Sequence, residues 1–335
     1  MHYHHRAWQN NAAPGIVLPL HMLRVPPMEF FGIEVPESSM KSDAADMRRF
    51  LDALCPKPSP APLLRIGPGR DGSYLVPDDL LGVTACFSPG VNNFKSFEDE
   101  LAKRFGLAAH LCDASSDVEL FHTPLIDGVQ TFEKLWLDAP DSENAVSLDT
   151  WVARHRPDPA EDLMLQMDIE GAEYRNILAT SDETLKRFRI VVLELHSIER
   201  MDHRGVLQHV LLPFVEKLGR HFTCVHAHPN NVTGPFEIAD LGTEVPSLIE
   251  LTLLRNDRFN GRTLHAPQLP HALDIKYNVR NRPPLFLDDY FRGRPPSLAE
   301  RFRMGWATAK FHWRQFNQRI KDVKRGVQGK NPSGK

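Results

Sequence analysis

Positions 168–173 of this 335-residue chain read Asp168-Ile-Glu-Gly-Ala-Glu173, three carboxylates in six residues, directly after the apolar run Leu163-Met-Leu-Gln-Met167. A carboxylate that closes an apolar run has little structural reason to be there, so Asp168 is the first candidate for chemistry. Glu170 and Glu173 also suit the first turn of a following helix, where negative charge complements the dipole. Glu194-Leu-His196 and His226-Ala-His228 each set two polar side chains two residues apart, which on a strand face the same side. Carboxylates near imidazoles suit two chemistries. One is removal of a proton from a hydroxyl by a general base, with Asp168, His196 and His228 as the catalytic candidates. The other is ligation of a divalent cation, Mg²⁺ or Mn²⁺ where oxygen ligands dominate, with Asp168, Glu194 and His226 as the candidate set. His226 and His228 equally suit a structural role, donating to backbone carbonyls.

A second constellation lies upstream. Phe87-Ser-Pro-Gly-Val-Asn-Asn93 is a turn whose Gly90 lets backbone approach a ligand, and Asp113 follows about twenty residues later at the end of another apolar run. Asp113 could accept hydrogen bonds from both hydroxyls of a ribose, or cap the next turn. Cradling a pyrophosphate calls for successive glycines and free amides, whereas this turn has one glycine and a proline without a donor. A cofactor with a ribose and no phosphate fits better, and S-adenosylmethionine is the common one.

These residues need elements to hold them. Val83 to Phe87, Leu107 to Cys112, Leu163 to Met167 and Ile190 to Leu195 are short apolar runs. Between them lie stretches of helical spacing: Phe94 to Phe105, and Tyr174 to Phe188. The pattern predicts an α/β fold, a doubly wound, mostly parallel sheet covered on both faces. Val206 to Leu218 reads as a further helix, and Phe222 to Ala227 with Ile249 to Leu254 as a closing antiparallel pair. Ser42 to Leu54 reads as a helix capped by Ser42, with Met47, Phe50, Leu51 and Leu54 on its inner face. The prolines between Cys55 and Pro62 stop it.

The Asp168 to Glu173 block behind its buried run resembles the signature of FkbM-type S-adenosylmethionine-dependent methyltransferases. Arg70-Asp-Gly-Ser-Tyr-Leu-Val-Pro77 is similar to that family's D-G-G-Y stretch, with Ser73 in place of a usual glycine. Ser88 to Asn92, Ser147-Leu-Asp-Thr-Trp151, Glu194 to His196, His226 to Asn231 and Val245 to Leu251 resemble its other segments. The resemblance covers about residues 63 to 256. It implies a Rossmann-like methyltransferase fold whose cofactor set is Asp71, Tyr74, Ser88, Gly90, Asn92, Asp113, Ala114 and Ser115. Within it, the methionine end would lie near Gly90 and Asp71 to Tyr74, the ribose against Asp113, and the adenine near Ala114 and Ser115. It implies O-methylation of a sugar, glycan or glycosylated natural product, with the acceptor entering over Asp168 and Glu170. Some members of that family depend on a metal.

The domains expected are an N-terminal arm and short helix (1–60), the methyltransferase domain (61–258), a Pro-rich irregular extension (259–300) and a basic amphipathic helix with its tail (301–335). With 40 Lys+Arg against 43 Asp+Glu the composition is that of an ordinary globular protein, which excludes collagen-like, wholly disordered and disulfide-scaffold chains. Four dispersed cysteines, Cys55, Cys86, Cys112 and Cys224, form no C-x-x-C pair and read as small apolar residues of a reducing compartment. No run is long and apolar enough to span a bilayer and no secretory signal opens the chain, so a cytoplasmic location is expected. Residues 301–335 hold ten Lys/Arg and one acid, Asp322, interleaved with aromatics. Such a helix suits peripheral contact with an anionic membrane surface, or burial of its aromatic face on the acidic remainder of the chain. Nucleic acid is a disfavoured partner, because an Asn/Asp-Pro-Pro-Tyr/Phe motif is missing after Met167. The rival to the enzyme reading is a catalytically silent, methyltransferase-like binding module tethered by the basic C-terminus.

Overall fold

The computed structural model describes residues 28–36, 40–69, 71–275 and 278–328, with side chains as far as Lys321. His2, His4, His5 and Arg70 lie outside the described residues. Seven strands form the central sheet: β1 (Val83–Pro89), β2 (Ala108–Cys112), β3 (Gln130–Glu133), β4 (Asp162–Met167), β5 (Phe188–Leu195), β6 (Phe222–Pro229) and β7 (Ile249–Arg255). Their order is β6-β7-β5-β4-β1-β2-β3. Neighbours among β1 to β5 are parallel, and β7 runs antiparallel to both β5 and β6. The longer helices are α1 (Ala44–Leu54), α2 (Ser96–Phe105), α3 (Leu148–His155), α4 (Glu173–Ala179), α5 (Leu212–Gly219) and α6 (Leu298–Gln328).

Burial explains why the runs read as continuously apolar. All eight residues of β5 are buried, since a central parallel strand is covered on both faces. The pleat then divides its side chains between two cores. Val191, Leu193 and Leu195 join Leu163, Leu165 and Met167 beneath Phe50, Trp151, Tyr174 and Phe214. Ile190 and Val192 join Met164 on the other face, against Phe97 and Leu101 of α2.

Several elements differ from the sequence expectation. Asp43, not Ser42, caps α1 by accepting from the amide of Ala45. The helix expected from Tyr174 to Phe188 ends at Ala179, because Thr180 leaves helical geometry and Ser181 caps a separate short turn at Asp182–Leu185. β5 therefore begins at Phe188. The edge strand β3 carries only the sequence Gln-Thr-Phe-Glu, three of four residues polar, and gave no apolar signal. Within the stretch expected as a loose arm, Met28–Phe30 and Ile33–Val35 pair as a hairpin whose Phe30 and Val35 are buried in the main core. The aromatic face of α6 is not its packed face: Ala307 and Phe311 are buried, while Phe302, Trp306, Trp313 and Phe316 are exposed.

Strand order reverses between β1 and β4, so a crevice opens beyond their carboxyl ends. Gly90 ends β1 at φ +82°, and a Cβ built there would lie 1.9 Å from the backbone oxygen of Asp168. The approach that this glycine permits is thus to the end of β4, within the protein itself. Gly90→Ala should destabilise the fold by about 2–5 kcal/mol, combining overpacking against backbone with the cost of a left-handed alanine. Urea unfolding measures this; a variant within 0.5 kcal/mol or so of wild type would refute the constraint.

Candidate active site

The crevice is a cleft of about 1320 Å³. That exceeds the roughly 300–1,000 Å³ of a single small-molecule site, so two ligands can share it. Its lining includes Gly90, Asn92, Asp113 and Ser115 toward β1 and β2, and Asp71, Tyr74, Asp168, Glu170, Glu194 and His196 toward β4 and β5. Two residues expected at the cofactor are not on this wall. Ser88 is fully buried, bonded to Glu98 and to Gln166 (2.5 Å), and the half-buried Ala114 is not part of the lining.

Asp113 ends β2 with its carboxylate fully engaged. Oδ1 accepts from the amide (2.8 Å) and hydroxyl (2.6 Å) of Ser115, while Oδ2 accepts from the Asn92 amide (2.9 Å) and the Ser116 hydroxyl (2.7 Å). Burial works against the charge, but these four donors outweigh it and hold the carboxyl below its ordinary range. Asn92 and Asn93 adopt positive φ, 43° and 60°, which aims the Asn92 amide at Asp113. Ser115 is exposed, so its hydroxyl can swing away and release one lone pair of Oδ1.

On the opposite wall acids crowd together. Burial and the charge of Glu194 push Asp168 well above the carboxylate range. Burial and the charge of Glu250 push Glu194 up to about 8, although Asn230 Nδ2 donates to Glu194 at 2.7 Å. Both carboxyls thus hold a proton more tightly than an ordinary carboxylic acid. His196 lies 3.6 Å from Glu173 and 3.7 Å from Glu170. Burial opposes its cation, but the hydrogen bond and charge of Glu173 prevail, helped by Asp168, and raise it. Glu173 itself is fully buried at the start of α4; Oε1 accepts from the Ile169 amide at 2.6 Å, and Oε2 has no protein partner.

The structure corrects the expected placement of the two later histidines. His226 Nε2 lies 2.9 Å and His228 Nδ1 3.8 Å from Asp274, and both line a separate small void with Arg65 and Glu250. Burial disfavours the Asp274 charge, but both imidazoles hold that carboxyl well below its usual range. They fasten the segment after β7 onto the sheet edge, and neither lines the cleft. The expected ligand set Asp168, Glu194 and His226 is accordingly split. The ligand atoms that do lie within 4.8 Å of one another belong to Asp168, Glu173 and His196.

Some lining residues carried no recognised signal in the sequence. Trp136 and Asp138 come from the connection after β3, and Asn230 and Asn278 from loops. Arg175 holds Asp138 through two bonds, 2.8 and 2.9 Å, and donates to the Phe31 carbonyl at 3.0 Å. Gln166 was the readable exception: a polar residue inside an apolar strand. It and Ser88 connect the cleft floor to Glu98, where burial pushes the carboxyl to about 7 despite the Ser88 hydroxyl.

An open α/β sheet with a reversed β7, and a cleft at its switch point with an acid closing β2, is a Rossmann-like architecture consistent with a methyltransferase fold. Residues 92–222 match the family model described as the methyltransferase FkbM domain. That match covers less than half of the chain, and it spans Asp113, Asp168, Glu173, Glu194 and His196. No curated protein matches the chain.

Glu98 generates a pH prediction. Its folded pKa is raised from 4.5 to about 7, so the folded state holds the proton more tightly and stability falls as pH rises through that window. Glu98→Gln should gain about 3 kcal/mol relative to wild type between pH 5 and pH 8. Denaturant titrations at both pH values test this; a constant difference between the two proteins would show that Glu98 ionises normally.

Proposed function

We propose that this chain is an S-adenosylmethionine-dependent O-methyltransferase acting on a hydroxyl of a sugar, glycan or glycosylated natural product. The observation that carries the reading is the division of one cleft between a hydrogen-bonded Asp113 on one wall and the crowded Asp168, Glu194 and His196 on the other. Asp113 would accept from a ribose diol once the exposed Ser115 hydroxyl turns away. Gly90, Asp71 and Tyr74 would border the methionine end, and Ser115 the adenine. When bound, the cofactor supplies an electrophilic methyl group on a sulfonium.

The residues opposite prepare the acceptor. A hydroxyl is a poor nucleophile until its proton leaves, and a buried carboxylate with a raised pKa is a better base at neutral pH than an ordinary one. Asp168, on the cleft wall beside His196, would orient the acceptor hydroxyl or take its proton. His196, held by Glu173, would orient the acceptor oxygen by donating a hydrogen bond. Positioning along the line of displacement supplies most of the rate. Asp168, Glu173 and His196 are the residues that would hold a Mg²⁺ or Mn²⁺ ion, whose charge would lower the hydroxyl pKa.

Calorimetric titration with S-adenosylhomocysteine should give saturable heat. Asp113→Ala should weaken that binding by about 10- to 100-fold, the worth of charge-assisted hydrogen bonds. Asp168→Asn should keep the affinity and lower methyl transfer to a polyol acceptor by about 10²- to 10⁴-fold. Absence of heat for wild type at millimolar ligand would remove the cofactor assignment.

A further inference from the structure

The 31-residue helix α6 presents two different faces. One is built into the protein. Ser297 and Glu300 cap its start reciprocally, the Ser297 amide donating to Glu300 (2.7 Å) and the Glu300 amide to the Ser297 hydroxyl (3.3 Å). Glu300 also accepts from the Leu269 amide at 3.0 Å, Arg303 donates to the Pro270 carbonyl at 3.0 Å, and Ala307 and Phe311 are buried. The opposite face carries Leu298, Phe302, Trp306, Trp313 and Phe316, exposed by 85, 73, 55, 65 and 62%. At 3.6 residues per turn these five fall within an arc of about 80° and extend along about 27 Å. Scattered exposed apolar residues need no explanation, but a continuous stripe of aromatic rings does.

Charge decides what fits the stripe. Arg301 and Arg319 flank it on one side, and Arg303, Lys310 and Lys321 on the other, while residues 301–321 contain no acid. A second copy of α6 laid on the stripe would bring rows of cations together, which is repulsive. An anionic bilayer offers both complements at once: an acyl boundary for the rings and phosphates at the level of the cations. We propose that α6 lies in the plane of an anionic membrane surface, its Phe302 to Phe316 stripe inserted at the acyl boundary and its flanking cations at the headgroups. The body of the protein is thereby held at the surface through the Ala307 and Phe311 face.

Co-sedimentation of the full chain with phospholipid vesicles tests this without reference to cofactor or activity. The protein should be retained on phosphatidylcholine vesicles containing roughly one-third phosphatidylglycerol and should stay in solution with phosphatidylcholine alone. Retention should weaken at about 0.5 M salt, and tryptophan emission should shift to the blue on binding. The triple variant Phe302→Ser, Trp313→Ser, Phe316→Ser should lose retention by about tenfold or more while keeping the wild-type melting temperature, since these side chains are exposed. Failure of wild type to bind anionic vesicles would overturn the proposal. Equal retention of the triple variant would overturn it in favour of a charge-only contact, such as a polyanion. Conversion of a wild-type dimer to a monomer by the triple substitution, with no lipid binding by either, would overturn it in favour of a second copy.

Discussion

Carboxylates gathered where water is scarce set the terms for this protein. Asp168 follows the end of β4, Glu194 sits near the end of β5, Glu250 near the start of the reversed β7, and Glu173 at the head of α4. Reversal of β7 is what brings Glu250 beside Glu194, since the two are register partners across the antiparallel pair. Like charges so placed cannot all ionise. Two devices relieve them: amide donors from Asn230 and Asn278, and the raised His196 imidazole. Each device also leaves a polar group facing the cleft, ready to meet a hydroxyl.

The remainder of the cleft follows from how tightly the switch point is closed. Gly90 lets β1 and β4 end against each other, and its helix-ward turn carries the Asn92 amide to Asp113. On the far side Gly171 plays a comparable part. A Cβ there would meet the Phe31 ring at 2.3 Å, so the N-terminal hairpin lies directly on the acidic turn. Phe31 stacks near Tyr174, whose hydroxyl donates to the His196 carbonyl at 2.7 Å. Packing from outside the matched stretch 92–222 thereby bears on the histidine of the cluster.

Much of the candidate site was legible because its residues violate local expectation. Asp113 and Asp168 each follow an apolar run, and a buried parallel strand tolerates few polar residues at its end without purpose. The histidines of β6 were misread for an equally physical reason. Strand spacing establishes that His226 and His228 share a side, but not which face of the sheet that side becomes. Their partner, Asp274, lies 46 residues or more along the chain in a segment without periodicity. Helix limits failed at Thr180, where side-chain hydrogen bonding to the backbone competes with helix continuation.

Sequence alone determined the class of fold, the acids that close β2 and β4, and the glycine at the turn. Each of these is a local requirement: a buried strand demands apolar residues, and a left-handed turn pressed against another backbone demands glycine. The tertiary structure alone decided which histidine joins Asp168, which acids crowd together in the cleft, and which face of α6 is exposed. Those outcomes depend on desolvation and on charges brought together from distant segments, and neither is a property of any single stretch of chain.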